Sequence, residues 1–484
     1  MNSLDTLDLS NNHLSGEIPK NMSQLKFLSL SNNNLDGALF PTLSTMNQLM
    51  FLFLDGNSLS GNIPNDFSFS NMSLLLLDVS NNLLVGKLPR RVGNESSLKM
   101  LIMSNNNLEG PIPTEFVQQI SLVYLDTSHN KLTNFVPSFV YPSMRFIHLS
   151  HNRLSGLTKT MFTNSSSLVT LDLRYNEITS NIQELIQDLR YTGLSILLLK
   201  GNHLTGHIPK QLCQLEDLML LDLSHNNFDG PIPSCLGQMH FENDGSVDLQ
   251  QALDYHYALG SRYSFSLHQY LQEQVEFTTK QISYTYTGKI LSYMSGIDLS
   301  SNKLNGSIPY ELGNLAKIHG MNLSHNYLTG EIPATFSNLA QIESLDLSFN
   351  KLSGNIPPQL SELTFLAVFS VAHNNFSGAI PNRKGQFMTF DERTYQDNPF
   401  LCGLPLPKSC VHFVGQPPTI DGHNSLVDMY VFYVSFAVSY ALVLLAITIV
   451  LFINPHWRRT WFYCVEMVLT RCRYVIEDNF HKTW

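Results

Sequence analysis

The chain has 484 residues, 43% of them hydrophobic and only 14% charged, and carries a net charge of −10 from 29 basic and 39 acidic side chains. So little charge excludes a coiled coil, which needs charged flanking positions, and a charge-rich disordered chain. The acidic balance excludes a generic nucleic-acid binder, which needs a basic face to displace counterions from phosphate. Length by itself suggests about three globular domains, but the 43 asparagines are far more than a soluble enzyme usually carries, and their placement decides otherwise.

From the N-terminus, Leu4, Leu7, Leu9, Asn12 and Leu14 spell L-x-x-L-x-L-x-x-N-x-L. The frame restarts at Leu25, Leu49, Leu74, Leu98, Leu122, Met144, Leu168, Leu194 and Leu218, then after a gap at Met294, Ile318, Ile342 and Leu366. That makes fourteen units, mostly 24 residues apart, and Asn stands eight places after every start, from Asn12 to Asn374. L-x-L predicts a short strand with one buried face. The Asn falls where the chain must turn, and its amide can satisfy backbone groups that burial would otherwise leave unpaired. One unit cannot bury its own leucines, so the units must stack into a solenoid.

Ten of the fourteen units continue with G-x-[IL]-P, as in Gly16-Glu17-Ile18-Pro19 and Gly330-Glu331-Ile332-Pro333; the second unit and those starting at Leu122, Met144 and Leu168 do not. The full unit resembles the plant-type leucine-rich repeat. The resemblance implies an α/β leucine-rich-repeat solenoid with a parallel sheet on its concave face, a second short sheet formed by the Gly-x-Ile-Pro segments, and a superhelical twist.

Ten units occupy residues 1–240 and four more occupy 294–389; between them, 241–293 breaks the frame. This insertion opens polar and acidic (Glu242, Asp244, Asp248) and turns aromatic, with a β-favouring stretch from Val275 to Tyr286 that predicts a strand or hairpin. An island four repeats before a membrane segment is similar to that of plant leucine-rich receptor-like proteins and related receptor kinases. Residues 390–410 break the frame again and resemble that family's C-terminal cap, which implies a disulfide between Cys402 and Cys410. Cys213 and Cys235 lie 22 residues apart on successive turns, close enough either to bond or to serve as two small buried fillers.

A spacer, 411–428, precedes 25 uncharged and mostly apolar residues, Met429 to Ile453. As a helix they span ~37 Å, enough to cross a ~30 Å hydrocarbon core, which adds one transmembrane α-helix to the fold. Residues 1–428 hold 24 basic and 36 acidic groups, whereas the tail 454–484 holds 5 and 3. The positive-inside rule therefore puts the tail in the cytosol and the repeats outside, a single-pass type I plasma-membrane protein in contact with the lipid bilayer. Ser435 and Ser439, like Ala437 and Ala441, form small-x-x-x-small faces that permit close helix pairing, or are ordinary membrane composition. Seven sequons, at Asn21, Asn71, Asn94, Asn164, Asn305, Asn322 and Asn375, fit an extracellular location. No charged start, apolar run and cleavage site precede the first repeat. The family normally has these and a Cys-bearing N-terminal cap, so the expectation is the C-terminal portion of a longer or truncated receptor-like protein.

No phosphate-binding, zinc-protease or nucleophile-elbow motif is present, and 31 residues of tail cannot form a kinase, so no enzymatic activity and no cofactor or metal is expected. The histidines before the ladder Asn (His129, His151, His225, His325, His373) are spread along the solenoid axis rather than converging. Binding is sought where concave-face positions depart from their usual Asp and Ser. Those positions are Phe51 and Phe53 in the third unit, Tyr124 in the sixth, Arg145, Phe146 and His148 in the seventh, Arg174 and Tyr175 in the eighth and Lys200 in the ninth. Aromatic side chains with Arg on an exposed rigid sheet have the composition of recognition hot spots; drift on a tolerant surface gives the same pattern. The resemblance implies ligand perception (peptide, protein or glycan) with signalling through leucine-rich-repeat receptor kinases as adaptor and co-receptor, in defence or development. The alternatives are a membrane-tethered inhibitor of secreted wall-degrading enzymes and a non-functional fragment.

Overall fold

The computed structural model describes residues 4–410 apart from 21, 23, 65–72, 91–96, 118–121, 140–142, 159, 163–166, 191 and 242–271. The span expected over 429–453, with Ser435, Ala437, Ser439 and Ala441, and the sequons at Asn21, Asn71, Asn94 and Asn164 lie outside the described residues. Among the described residues no helix is long and apolar enough to cross a membrane.

Each L-x-L segment forms a three-residue strand, and the strands pair in parallel into one fourteen-stranded sheet, from Thr6–Asp8 to Val368–Ser370. The insertion interrupts the chain but not this sheet. Leu220–Asp222 pairs directly with Gly296–Asp298, Leu220 opposite Gly296 and Asp222 opposite Asp298. Beneath the strands the repeat leucines form one continuous apolar core, each fully buried side chain contributing ~1.5–3 kcal/mol. The first repeat is different, since Leu4, Leu9 and Leu14 are exposed.

The asparagines stitch successive repeats together. Asn302 Nδ2 donates to the carbonyls of Leu223 (2.9 Å), Leu299 (3.2 Å) and Ser300 (3.1 Å), while its Oδ1 accepts from the Phe228 amide at 3.0 Å. Both ends of the amide are used, one toward the preceding repeat, so the ladder crosses the insertion as the sheet does. It also runs one rung beyond the fourteen units: Asn398, in the cap, donates to Val371, Tyr395 and Gln396 and accepts from Phe376. The cap strand Phe400–Cys402 pairs with Asn375–Ala379, and the sulfurs of Cys402 and Cys410 are 1.95 Å apart. Those of Cys213 and Cys235, on the 3-10 turns Lys210–Gln214 and Ser234–Gln238, are 2.08 Å apart.

A second set of strands follows the ladder. Five pair from Ser60–Asn62 to Arg153–Leu157 and seven from Thr205–His207 to Phe400–Cys402. Three of the four units without Gly-x-Ile-Pro still form this strand: Asn34–Asp36, Lys131–Val136 and Arg153–Leu157. The unit starting at Leu168 does not, among its described residues, and carries the helix Gln183–Leu189 instead. Backbone pairing with a neighbour therefore suffices to form the strand, and the motif is not required for it.

The residue before the ladder Asn takes a left-handed conformation in repeat after repeat, with φ near +50° at His129, His151, Tyr175, His325, Phe349 and His373. Asn and His are enriched there because they tolerate it. Their side chains stack along the rim: His129 on His151 at 3.9 Å, His151 on Tyr175 at 4.5 Å, and Phe349 between His325 (4.1 Å) and His373 (3.9 Å). These histidines form a stacking rail, which accounts for their period.

Candidate functional site: a cleft under the island hairpin

The insertion returns to the concave face. Gln274–Thr279 and Ile282–Thr287 pair as an antiparallel hairpin, the element expected over Val275–Tyr286. Alternation fixes which side it buries: Val275, Phe277 and Thr279 are buried, while Ile282 and Tyr284 are exposed. Val275 and Phe277 share an apolar cluster with Phe146, Val169, Ile196, Leu198 and Leu220 of the concave sheet. The polar contacts track the hairpin across successive repeats. Glu273 meets His148 at 3.3 Å in the seventh. In the eighth, Arg174 donates to the Glu276 carbonyl at 2.7 Å and to its carboxylate at 3.3 Å. In the ninth, Lys200 Nζ donates to Thr278 Oγ1 at 2.8 Å.

Two glycines let the hairpin pass. A Cβ on Gly296 would lie 2.6 Å from the Phe277 ring, and one on Gly320 would lie 3.3 Å from Thr279 Cγ2. At the turn, Lys280 and Gln281 sit at φ +54° and +63°, values that cost a non-glycine residue energy. The thirteenth repeat holds them there: Ser344 Oγ accepts from the Lys280 amide at 3.0 Å, Glu343 pairs with Lys280 Nζ at 2.8 Å, and Asp346 accepts from Gln281 Nε2 at 3.0 Å.

This arrangement corrects the expected open patch. Phe53 is 1% exposed and Phe146 is fully buried; Phe51, Tyr124, His148, Arg174 and Lys200 are buried too, and Arg145 is half-buried. Phe51 and Phe53 pack beside Phe27, and Tyr124 packs on Phe146 at 5.6 Å and on His148 at 5.3 Å. Only Tyr175, 36% exposed, stands toward solvent, and it belongs to the rim rail rather than to the sheet face. The departures from Asp and Ser in repeats seven to nine are the hairpin's docking groups.

Beside the hairpin the face stays accessible. A cleft of about 570 Å³ is bounded on the sheet by Asp55, Asp78, Tyr124, Asp126, His148, Asp172 and Arg174, and on the island by Gln272, Gln274, Glu276 and Thr285. Its two ends differ in charge. Asp172 is chelated by Arg174, Oδ1 to Nε at 2.9 Å and Oδ2 to Nη2 at 2.8 Å. Burial pushes the Asp172 carboxyl up, but the guanidinium outweighs it and holds the value at about 2. His148 would be driven neutral by burial, yet the Glu273 charge and hydrogen bond raise it to about 9, so the imidazole is protonated at neutral pH. Asp55, Asp78 and Asp126 have no cation at ion-pair distance among the described residues. Burial, then the charge of Asp55, lifts Asp78 to about 7, even though the Ser80 amide donates to it at 2.9 Å.

The site residues missed in the sequence are Asp78, Asp126, Glu273, Glu276 and Thr278. Asp at this offset looked like the standard filling of the face. Two signals were available: two glutamates of the island, Glu273 and Glu276, against the basic side chains of successive repeats, and glycine at the same strand position of two successive repeats, Gly296 and Gly320, which marks a close approach. Of the sequons, Asn305 and Asn375 are exposed. Asn322 is half-buried on its strand, donating to Asp298 at 3.2 Å and accepting from Ser324.

A stack of strand, asparagine turn and 3-10 segment with a parallel sheet along one face defines a leucine-rich-repeat ectodomain fold. Leucine rich repeat family models match residues 142–204 and, repeat by repeat, 3–25, 24–46, 48–70, 97–118, 217–239, 294–315, 317–339 and 341–363, together half of the chain. The chain belongs to that family, and its relatives are plant receptor-like proteins. It is 60% identical over 218 residues to Cuscuta receptor 1 of Solanum lycopersicum, covering 43% of this chain and 19% of that protein. It is 46% identical over 306 residues to Receptor-like protein 56 of Arabidopsis thaliana, covering 58% of this chain and 32% of that one. The matched stretch thus spans about a fifth to a third of these relatives' length. Among solved structures, the plant peptide hormone receptor RGFR1 in complex with RGF2 superposes with a TM-score of 0.60 at 26% identity, over 84% of this chain and 64% of that one. The Arabidopsis receptor kinase HAESA, solved with the peptide hormone IDA and the co-receptor SERK1, gives 0.50 at 27%, over 84% and 67%.

Proposed function

We propose that this chain is the ligand-binding part of a cell-surface receptor without its own kinase. It takes a peptide, or an extended segment of a protein, into the cleft beside the island hairpin and signals through associated leucine-rich-repeat receptor kinases. The cleft carries this reading: it is polar, bounded by two elements far apart in sequence, and holds carboxylates at Asp55, Asp78 and Asp126 that no cation neutralises among the described residues. Such a wall suits a ligand with Lys or Arg side chains. The peptide and co-receptor named with the structural neighbours support the ligand class and the kinase partners. Attachment to the plasma membrane through residues 429–453, pairing of that helix through Ser435, Ala437, Ser439 and Ala441, and glycans on the exposed Asn305 and Asn375 belong to the same proposal.

The test is retention of random nonapeptide pools, one rich in Lys and Arg and one in Asp and Glu, on the immobilised full chain. The basic pool should be retained preferentially, and Asp78→Asn combined with Asp126→Asn should reduce that retention severalfold. Equal retention of the two pools, or no change in the double variant, overturns the assignment of the cleft.

A further inference from the structure

Two buried carboxylates stand on the strands beside two hairpin contacts, Lys200 with Thr278 and Gly296 with Phe277, with too little positive charge to balance them. Asp222 and Asp298 are opposite residues on adjacent strands, and each is 1% exposed. Strand spacing places them about 5 Å apart. Asp222 Oδ1 accepts from Ser224 N and Oγ at 3.0 and 2.6 Å, while its Oδ2 is buried without a hydrogen-bond partner. Asp298 accepts from the Ser300 amide at 2.9 Å and from Asn322 Nδ2 at 3.2 Å.

Of the charged groups around the pair, Lys200 alone acts on both carboxylates without a carboxylate partner of its own among the described residues, so one ammonium faces two acids. From the ninth repeat, Lys200 points its ammonium at Thr278 of the hairpin. From the eighth, Arg174 is held by Asp172 and Glu276. Toward the thirteenth, Asp346 is taken by Gln281, and Lys280 pairs with Glu343. His225 flanks the pair at the rim, where burial and then the Lys200 charge keep it below its usual range. At the hairpin's other end, His148 faces Glu273, with Asp126, Asp172 and Tyr124 around it.

We propose that the island hairpin is an acid-held latch: the Asp222–Asp298 pair and His148 each hold a proton more tightly while the hairpin covers them, so docking is tightest in acid and loosens as pH rises. This concerns regulation of the cleft proposed above, whose wall the hairpin forms, and it stands on the docked geometry whether or not a ligand binds there.

The linkage has one sign at both ends. Burial, then the neighbouring Asp222 charge, raises Asp298 to about 7, and burial raises Asp222 against the pull of Lys200. A carboxyl whose docked value lies above its value in water favours docking at low pH, and that contribution is lost as pH rises from about 4 to about 7. His148, raised to about 9, favours docking fully below its ordinary value of 6.5 and loses that contribution as pH rises to about 9. The Asp172–Arg174 pair opposes them only in strong acid, because Asp172 sits near 2.

Hydrogen–deuterium exchange of the full chain in lipid nanodiscs, without ligand, tests the latch. Labelling times are scaled for the intrinsic pH dependence of exchange, and the strand Phe27–Ser29, which no described hairpin residue touches, is the internal reference. Hairpin amides, 274–287, should lose about tenfold or more in protection between ~pH 5 and ~pH 8, one pKa unit of linkage being worth tenfold. The reference strand should not change. Asp222→Asn with Asp298→Asn, or Asp298→Asn alone if the double variant folds poorly, should abolish the dependence below ~pH 6.5 and leave the part above it to His148. Equal hairpin protection across the range in the wild-type chain, or a variant that keeps the full dependence below that pH, overturns the proposal. A cleft that binds no peptide would leave these outcomes untouched.

Discussion

The concave face has one strand geometry throughout, yet its fourth to sixth repeats and its seventh to ninth repeats are in opposite states. In the former, Asp78 and Asp126 occupy the usual position and border an accessible cleft. In the latter, His148, Arg174 and Lys200 are each engaged by the island, through Glu273, Glu276 and Thr278, and only His148 and Arg174 reach the cleft's edge. On a repetitive scaffold, the positions that depart from the periodic filling are those with a partner already supplied by the chain itself. Of the positions that look like filling, Asp78 and Asp126 border the cleft, whereas Asp172 and Asp346 are already engaged.

The comparison can be broken at three strengths. Arg174→Ala should have the largest effect. It leaves Asp172 buried and unpaired and removes the hydrogen bond to the Glu276 carbonyl, and breaking a buried pair from one side costs ~3–5 kcal/mol. Thermal unfolding should show a lowered midpoint, with hairpin exchange rising first. An unchanged midpoint would mean that the covered half is not held by charge.

Gly296→Val comes next. Its side chain must enter space that Phe277 fills, and overpacking costs ~1–3 kcal/mol. Exchange at 274–279 should rise while Leu220–Asp222 keeps its protection. If both stay protected, the glycine is not what admits the hairpin.

Lys280→Ala should matter least. Its pair with Glu343 is partly exposed, and such pairs contribute ~0–1 kcal/mol, less at high salt. A large, salt-insensitive loss of hairpin protection would mean that the turn, rather than the charged root, is the anchor.

Much of the fold was legible in the chain because its rules are local and repeated. The L-x-L pitch gives the strand, and the Asn eight places on gives the ladder. Stacking follows because one repeat cannot bury its own leucines. The rung at Asn398 escaped because Phe390-x-x-Arg393-x-Tyr395 does not spell the leucine pattern, although Asn398 occupies the same place in the ladder. The strand at Lys131–Val136 was unexpected for a related reason: pairing with neighbouring strands, rather than a motif of its own, forms it.

The site was legible only as a set of exceptions. Arg145, Phe146, His148, Arg174 and Lys200 stood out as departures from the usual filling, but whether they met solvent could not be read from their offsets. Burial there depends on a segment about 75 to 125 residues away, and the repeat rules say nothing about where an insertion of different composition will lie. The sequence by itself determined the solenoid, its asparagine ladder, its period and its capped end, because each rests on contacts between neighbouring repeats. Only the tertiary structure decided which part of the concave face is open. Hairpin docking is a long-range fit, resting on glycines at two strands, three cations on three others, and a buried pair of carboxylates that no local pattern distinguishes from the ordinary aspartates of the face.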